Sequence, residues 1–358
     1  MKAIIPIAVT DAVLTDTNVH ETAPAIYAGG TTYGLGDFAH VVNGIALDIY
    51  ESLQAANTGK NPVTETDWWV FRSTTYPEYS AGTTYAEDEI VIVAADHRKY
   101  VSLDSGNTGN TPVGGVTDIW WSVSAATAPW APFDKKIGMR VERSGTIEYE
   151  ITPAGIVAGI AFFKLDAASV DIVMTDPVEG VVYTNSINLI SDSNVFDAYS
   201  HRFAPFLLTR HTVVVDIPPY ISGVISITIN AESNTAIAKC GEIVFGALQY
   251  SGASQYSPTL EILNYTTIIP DVWGNLEVVE RSFSNKVNVE MVLANSIIQS
   301  ALDFFENYRA IPVVWIPVEN GVTVGPMLTY GYYKTMSVVF SYPEYSVVNV
   351  ELIGMVMT

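Results

Sequence analysis

The chain has 358 residues, with 17 Lys plus Arg against 38 Asp plus Glu, a formal net charge of −21 and an isoelectric point near 4.4. So few and so scattered cations exclude a nucleic-acid groove, because binding phosphate needs clustered Lys and Arg to displace counterions. Charged residues are only 15% and apolar residues 49%, with mean hydropathy +0.25, against roughly 25% charge in ordinary soluble domains, so part of this surface is expected to lie against other protein.

Residues 1–25 form an opening segment whose short apolar run contains Pro6, which does not read as an export signal. The longest apolar stretch, residues 154–163, falls well short of the roughly 18–20 residues a spanning helix needs, so no membrane insertion is expected. The single cysteine, Cys240, excludes an internal disulfide framework and a multi-thiolate metal site, and reads as a buried small hydrophobe.

Two copies of one pattern follow, at residues 26–72 and 78–124. Thr31-Thr32-Tyr33 recurs as Thr83-Thr84-Tyr85, Tyr50-Glu51-Ser52-Leu53 as Tyr100-Val101-Ser102-Leu103, Asn57-Thr58-Gly59 as Asn107-Thr108-Gly109, Pro62 as Pro112, and Trp68-Trp69 as Trp120-Trp121. A period of about 50–52 residues means one small module per copy. Between the anchors lie runs such as Ile90-Val91-Ile92-Val93, broken by Thr-Gly and Asn-Gly signals; these predict short antiparallel strands, with a hairpin turn at Asn43-Gly44.

This pattern resembles the small carbohydrate-binding modules of chitinases and cellulases, families five and twelve. The first copy carries the order of that family as Tyr27, Tyr33, Gly36-Asp37, Tyr50, Gly59-Lys60-Asn61-Pro62 and Trp68, the second as Tyr79, Tyr85, Tyr100, Gly109-Asn110-Thr111-Pro112 and Trp120. Both copies open on Tyr where the family usually has Trp, and the second has Asp88-Glu89 where the first has Gly-Asp. The resemblance implies two three-stranded modules and sugar-stacking rings among Tyr33, Tyr50, Trp68, Trp69, Tyr85, Tyr100, Trp120 and Trp121. The same rings are also what a module too small for any other core needs inside, so each Trp pair is open to either use.

After Trp130-Ala131-Pro132-Phe133 the Thr-Gly-rich repeats end. Residues 134–256, with Val213-Val214-Val215-Asp216-Ile217 and the alternating Ile225-Ser226-Ile227-Thr228-Ile229-Asn230, predict a β-sandwich of jelly-roll type. Residues 257–358 predict a mainly β assembly domain with one helix over 296–309, started by a Ser296-Ile297-Ile298-Gln299 capping box and packed through Ile298, Ala301, Leu302 and Phe305. Its strands are expected at Val287-Asn288-Val289-Glu290-Met291, Val313-Val314-Trp315-Ile316, Met336-Ser337-Val338-Val339-Phe340 and Val348-Asn349-Val350-Glu351-Leu352.

A glycosidase needs two carboxylates across a cleft, roughly 5–10 Å apart; Asp171, Asp176 and Glu179 are available, but no motif gathers them. The sequence has no Gly-x-Ser-x-Gly elbow, P-loop, dinucleotide fingerprint or His-Glu-x-x-His, so neither catalysis nor a cofactor is expected. Of the dispersed histidines His20, His40, His97, His201 and His211, the last two stand ten residues apart, which is no recognised ligand spacing. Asp104, Asn107 and Asn110 could offer oxygens to Ca²⁺ and equally well form a polar turn, so no metal is expected.

Two further resemblances concern the whole chain. The opening Ile5-Pro6-Ile7-Ala8-Val9-Thr10-Asp11-Ala12-Val13-Leu14-Thr15, running into a carbohydrate-module-like repeat, resembles the start of tailed-bacteriophage tail proteins. The run Tyr308-Arg309-Ala310-Ile311-Pro312-Val313-Val314-Trp315 with the closing Tyr342-Pro343-Glu344-Tyr345 is similar to the C-terminal segments of baseplate or tail-tip subunits. These imply a non-enzymatic structural subunit assembled in the host cytoplasm and located in the virion. Its partners would be tube, hub or fibre proteins, further copies in a ring, and host-surface polysaccharide. The alternative is a soluble glycan-binding protein, or the non-catalytic part of a polysaccharide-degrading enzyme.

Overall fold

The structure is a computed structural model that describes residues 1–115, 117–191, 197, 199, 202, 207–254, 258–270, 273–317, 324–340 and 342–357. The chain is mainly β, with 51% in strands and 7% in helix, as its β-branched runs and turn residues lead one to expect.

A curled, ten-stranded antiparallel sheet is the spine. Its strands run in the order Thr212–Val214, Gly159–Phe163, Glu242–Tyr250, Lys2–Pro6, Val313–Ile316, Thr329–Val339, Tyr345–Gly354, Phe283–Ala294 and Ala253–Ser254, with Thr259–Asn264 also paired to Phe283–Ala294. The N-terminal strand is the seam, for Ile4 pairs with Leu248 on one side and with Val314 on the other. The sheet therefore runs unbroken past residue 257, where the composition changes. Close strand contact at this seam excludes a side chain at Gly246, where a Cβ would lie 1.8 Å from the Ile5 carbonyl oxygen.

A second sheet of five strands, in the order Gly180–Asn188, Ser169–Asp176, Val224–Asn230, Thr146–Ile151 and Leu14–Thr17, covers one face of the spine. Alternation in Val224–Asn230 buries Ile225, Ile227 and Ile229, so that they meet Ile160, Phe162, Ile243 and Phe245 of the large sheet. This is the sandwich core, and Cys240 is fully buried in it. Each such aliphatic or aromatic side chain contributes about 1.5–3 kcal/mol by leaving water.

The C-terminal helix spans Ile298–Asn307 and lays Ile298 and Phe305 on Val289, Val313, Trp315 and Val350 of the large sheet, with the Phe305 and Trp315 rings stacked at 5.6 Å. The stripe is the expected one, but the capping box is not formed. The chain enters through a 3₁₀ turn, Asn295–Ile297, which places Ser296 inside a turn and leaves no side-chain cap at Ile297. Gln299 instead donates to Asp303 at 2.8 Å, while the Asn295 amide reaches the carbonyls of Tyr342 and Pro343 at 3.0 and 2.9 Å. A four-residue helix, Val324–Met327, is a further element that the sequence pattern did not flag.

Candidate functional site

Each module is a three-stranded antiparallel sheet with a two-residue ladder beside it: Phe38–Asn43, Ala46–Ser52 and Trp69–Thr75 with Thr32–Tyr33 and Asn57–Thr58 in the first, and Ile90–Val93, Arg98–Ser102 and Trp121–Ala126 with Thr84–Tyr85 and Asn107–Thr108 in the second. The second Trp of each pair opens the third strand and points inward. Trp69 is 1% exposed and Trp121 0%, with their indole N–H groups donating to the carbonyls of Lys60 and Asn110 at 2.8 and 2.7 Å. Tyr33 lies edge-on to Trp69 at 4.9 Å and Tyr85 to Trp121 at 5.2 Å. Both tyrosines are buried, and their hydroxyls accept from the backbone N–H of Ala28 and Ser80 at 2.9 and 2.8 Å.

The rings singled out from the sequence therefore divide. Tyr33, Trp69, Tyr85, Tyr100 and Trp121 form the module cores. Tyr100 is fully buried, hydrogen-bonded to Asp96, and burial with that bond pushes its phenol up to about 12. Rings this deeply covered offer no face to a sugar. Trp68, Trp120 and Tyr50 remain half-buried at the surface. Tyr50 packs edge-on against Phe71 at 5.8 Å, which leaves Trp68 and Trp120 as the pair with a usable face. The Lys60 ammonium stands over the Trp68 ring, 5.3 Å from its centroid. At the matching position of the second module stands Asn110, whose amide donates inward to Asn107 Oδ1 at 2.9 Å.

The residues considered for Ca²⁺ take part in the polar turn itself. Asn107 is fully buried and donates to Ser102 Oγ and to the Trp120 carbonyl, at 3.1 and 3.3 Å, while Asp104 accepts from the N–H of Ser105 at 2.7 Å. Asp171 accepts from Ser186 and Asn230, and Glu179 from the Tyr220 hydroxyl. Asp176 caps its own turn and accepts from Ser222, which holds its carboxyl below the usual range. His211 accepts from the N–H of Lys164 at 3.3 Å, and burial lowers its pKa to about 4. His201 lies outside the described residues. Among the described residues, no group of three or more His, Cys, Asp or Glu side chains is placed to hold a metal, and no helix is long and apolar enough to cross a membrane.

Sequence reasoning missed how the modules are seated. Arg72, on the last strand of the first module, is 6% exposed. It pairs with Glu51 at 2.7 Å and donates to the Ser144 carbonyl and Asn234 Oδ1 on the body, at 3.0 and 2.7 Å. His97, in the hairpin loop of the second module, stacks on Trp130 at 3.9 Å and places its ring nitrogens 2.9 Å from Glu21 and 2.8 Å from Asp11. Glu21 also accepts from Thr127 Oγ1, and its carbonyl from Thr75 Oγ1, both at 2.6 Å, so it ties both modules to one connector. No local pattern signals these contacts, because the partners are far apart in sequence.

A cavity of about 1060 Å³ opens between the second module and the body, lined by His97, Asp118, Trp130 and Asp134 among others. Burial pushes the Asp134 carboxyl up to about 6, and that of Glu242, in the body nearby, up to about 9. Oxygens Asp134 Oδ2 and Glu242 Oε2 are buried without a hydrogen-bond partner among the described residues, which disfavours the charged form of each. Compared with known proteins, the chain matches no family model, no curated protein and no solved structure.

Proposed function

We propose that this chain is a structural subunit of a bacteriophage tail tip or baseplate whose paired modules hold host-surface glycan. The observation that carries the reading is an aromatic cluster on the C-terminal part of the chain: Tyr332 and Tyr345, on the strands Thr329–Val339 and Tyr345–Gly354, and Phe340 and Tyr342, between those strands, are 36%, 39%, 72% and 54% exposed. Exposed aromatic surface of this kind marks contact with other protein, and it belongs with the low charge of the whole chain. The modules, each pinned to the body by its own anchor, are held at a fixed spacing. Two weak sites so fixed, multiplied by the copies in a ring, give avidity without tight single-site affinity.

The sugar-facing set is reduced to Trp68 and Trp120. Gold-labelled antibody to the chain on particles from an induced lysate should mark the far end of the tail; unlabelled particles with free antigen would favour the soluble glycan-binding protein instead. Trp68→Ala with Trp120→Ala should lower retention on host envelope polysaccharide at unchanged circular dichroism. Unchanged retention removes the adhesive part of the proposal.

A further inference from the structure

Where the two modules meet the body they enclose a further pocket of about 320 Å³, at the small end of the range for small-molecule sites. Ser73 comes from the last strand of the first module, Tyr76 from the connection between the modules, Lys99 from the middle strand of the second module, and Arg140 and Glu142 from the body. The walls are tied to one another. The Ser144 hydroxyl donates to the Phe71 carbonyl at 2.6 Å, the Glu21 carbonyl accepts from Thr75 Oγ1, and the Glu21 carboxylate accepts from Thr127 Oγ1. A ligand entering here meets a formed site and has little to put in order.

The polar groups of this pocket are underused. Lys99 holds its ammonium 5.6 Å from the centroid of the Tyr76 ring, and burial lowers its pKa against the opposing charge of Asp134. Arg140 comes within only 3.7 Å of Glu142 Oε1, past hydrogen-bond range, and that oxygen already takes the Lys239 ammonium at 3.1 Å. Ser73 is 2% exposed, and its hydroxyl is buried without a hydrogen-bond partner among the described residues. An unmet buried hydroxyl costs stability, so it marks a place where a donor lacks its acceptor. Two partly desolvated cations and such a donor call for the same thing, a group of anionic oxygens. The Arg140 fork can take two of those oxygens, Lys99 adds a point charge, and Tyr76 gives an aromatic wall to the ring that carries them.

We propose that this pocket binds a small oxyanion on a sugar-sized group, its oxygens held by Arg140, Lys99 and Ser73 Oγ. The source that fits the proposed function is an acidic residue, a uronate, of host-surface polysaccharide; free phosphate presents the same chemistry. In naming a glycan as the source, the proposal rests on the reading of the modules as glycan-holding. A ligand that touches both modules and the body locks the spacing on which avidity depends.

The test is calorimetric titration of the full chain with sodium glucuronate, with glucose as its uncharged counterpart and with inorganic phosphate, beside melting curves in each. Glucuronate should bind, raise the melting temperature and weaken with added salt, and glucose should bind roughly tenfold more weakly or not at all. Lys99→Met and Arg140→Gln should each lower the affinity for glucuronate by roughly tenfold or more, and Arg140→Lys should recover part of it. Ser73→Ala should lower the affinity while leaving the melting temperature of the free chain unchanged or higher, because it removes an unmet hydroxyl; a fall would make that hydroxyl structural and take it out of the site. Phosphate that binds as tightly as glucuronate, with the same dependence on Lys99 and Arg140, keeps the pocket and makes a free anion its source. No binding of either at millimolar concentration overturns the proposal, and so does binding that the folded Lys99 and Arg140 variants leave unchanged. The retention assay with Trp68→Ala and Trp120→Ala reads the faces of the modules separately, so a failure here with retention still lost there strikes the pocket alone.

Discussion

The two modules are one design executed twice with different residues, and the differences show which features the design needs. Their cores superpose in kind: Tyr27, Tyr33 and Trp69 against Tyr79, Tyr85 and Trp121, with the outer Tyr 5.9 Å from the Trp in both. In the first module Asp37 accepts from the N–H of Gly34 at 2.5 Å; in the second Glu89 accepts from the N–H of Ala86 at 3.0 Å. The change from Gly-Asp to Asp-Glu therefore keeps its carboxylate cap. It also moves a backbone cost, because Gly36 at φ 82° is replaced by Asp88 at φ 67°. The reverse exchange occurs further along each module, where Ala56 at φ 56° corresponds to Gly106 at φ 75°. At this pair of left-handed positions each module thus has one glycine and one residue with a Cβ.

The comparison breaks first at the core. Trp69→Ala or Trp121→Ala should cost about 3–5 kcal/mol each, seen as loss of the near-ultraviolet aromatic signal and early proteolysis within the altered module. If either module tolerates the loss with under about 1 kcal/mol of change, its indole is not the core post that the other's is.

The seats differ as well, with Arg72 holding the first module and His97 the second. The body that carries them has a buried carboxyl, Glu242, on which pH should act. Glu242, at about 9 in the folded chain against 4.5 in the unfolded one, binds more protons when folded between those values. Stability therefore falls as pH rises through that window. The melting temperature should drop by several degrees between pH 5 and 9, and Glu242→Gln should flatten the profile. A flat wild-type profile would mean that the carboxyl is solvated after all.

The smallest effect sharpens the comparison most. Ala56→Gly should stabilise the first module by about 1 kcal/mol, and Gly106→Ala should destabilise the second by a similar amount. Chemical denaturation of the full chain, followed by cleavage sites inside each module, reads both.

How much of this was legible in advance follows from the range of the interactions. The anchors of the repeat, Tyr33 with Tyr85 and Trp69 with Trp121, recur at one position in each module, and the repeat delimits a small unit of short strands around them, to which the family resemblance adds the three-stranded form. The alternation of Ile225, Ile227 and Ile229 likewise exposes a strand with one buried face. Which indole of each Trp-Trp pair turns inward was not legible, because it is set by where the third strand starts and by its register, Trp69 opposite Ser52 and Trp121 opposite Ser102. Ser296 and Gln299 fit a capping box on paper, but a 3₁₀ turn held by Asn295 and the carbonyls of Tyr342 and Pro343 overrode it.

The sequence by itself determined what depends on composition and short-range period: a mainly β chain, two tandem aromatic modules, an alternating sandwich strand and one amphipathic helix. Only the tertiary structure decided that Lys2–Pro6 joins both halves of the large sheet and that Arg72 and His97 seat the modules. Each of these rests on pairs brought together from distant parts of the chain, and pairing across such distances is fixed by strand register and by packing around a common core, neither of which leaves a local mark in the sequence.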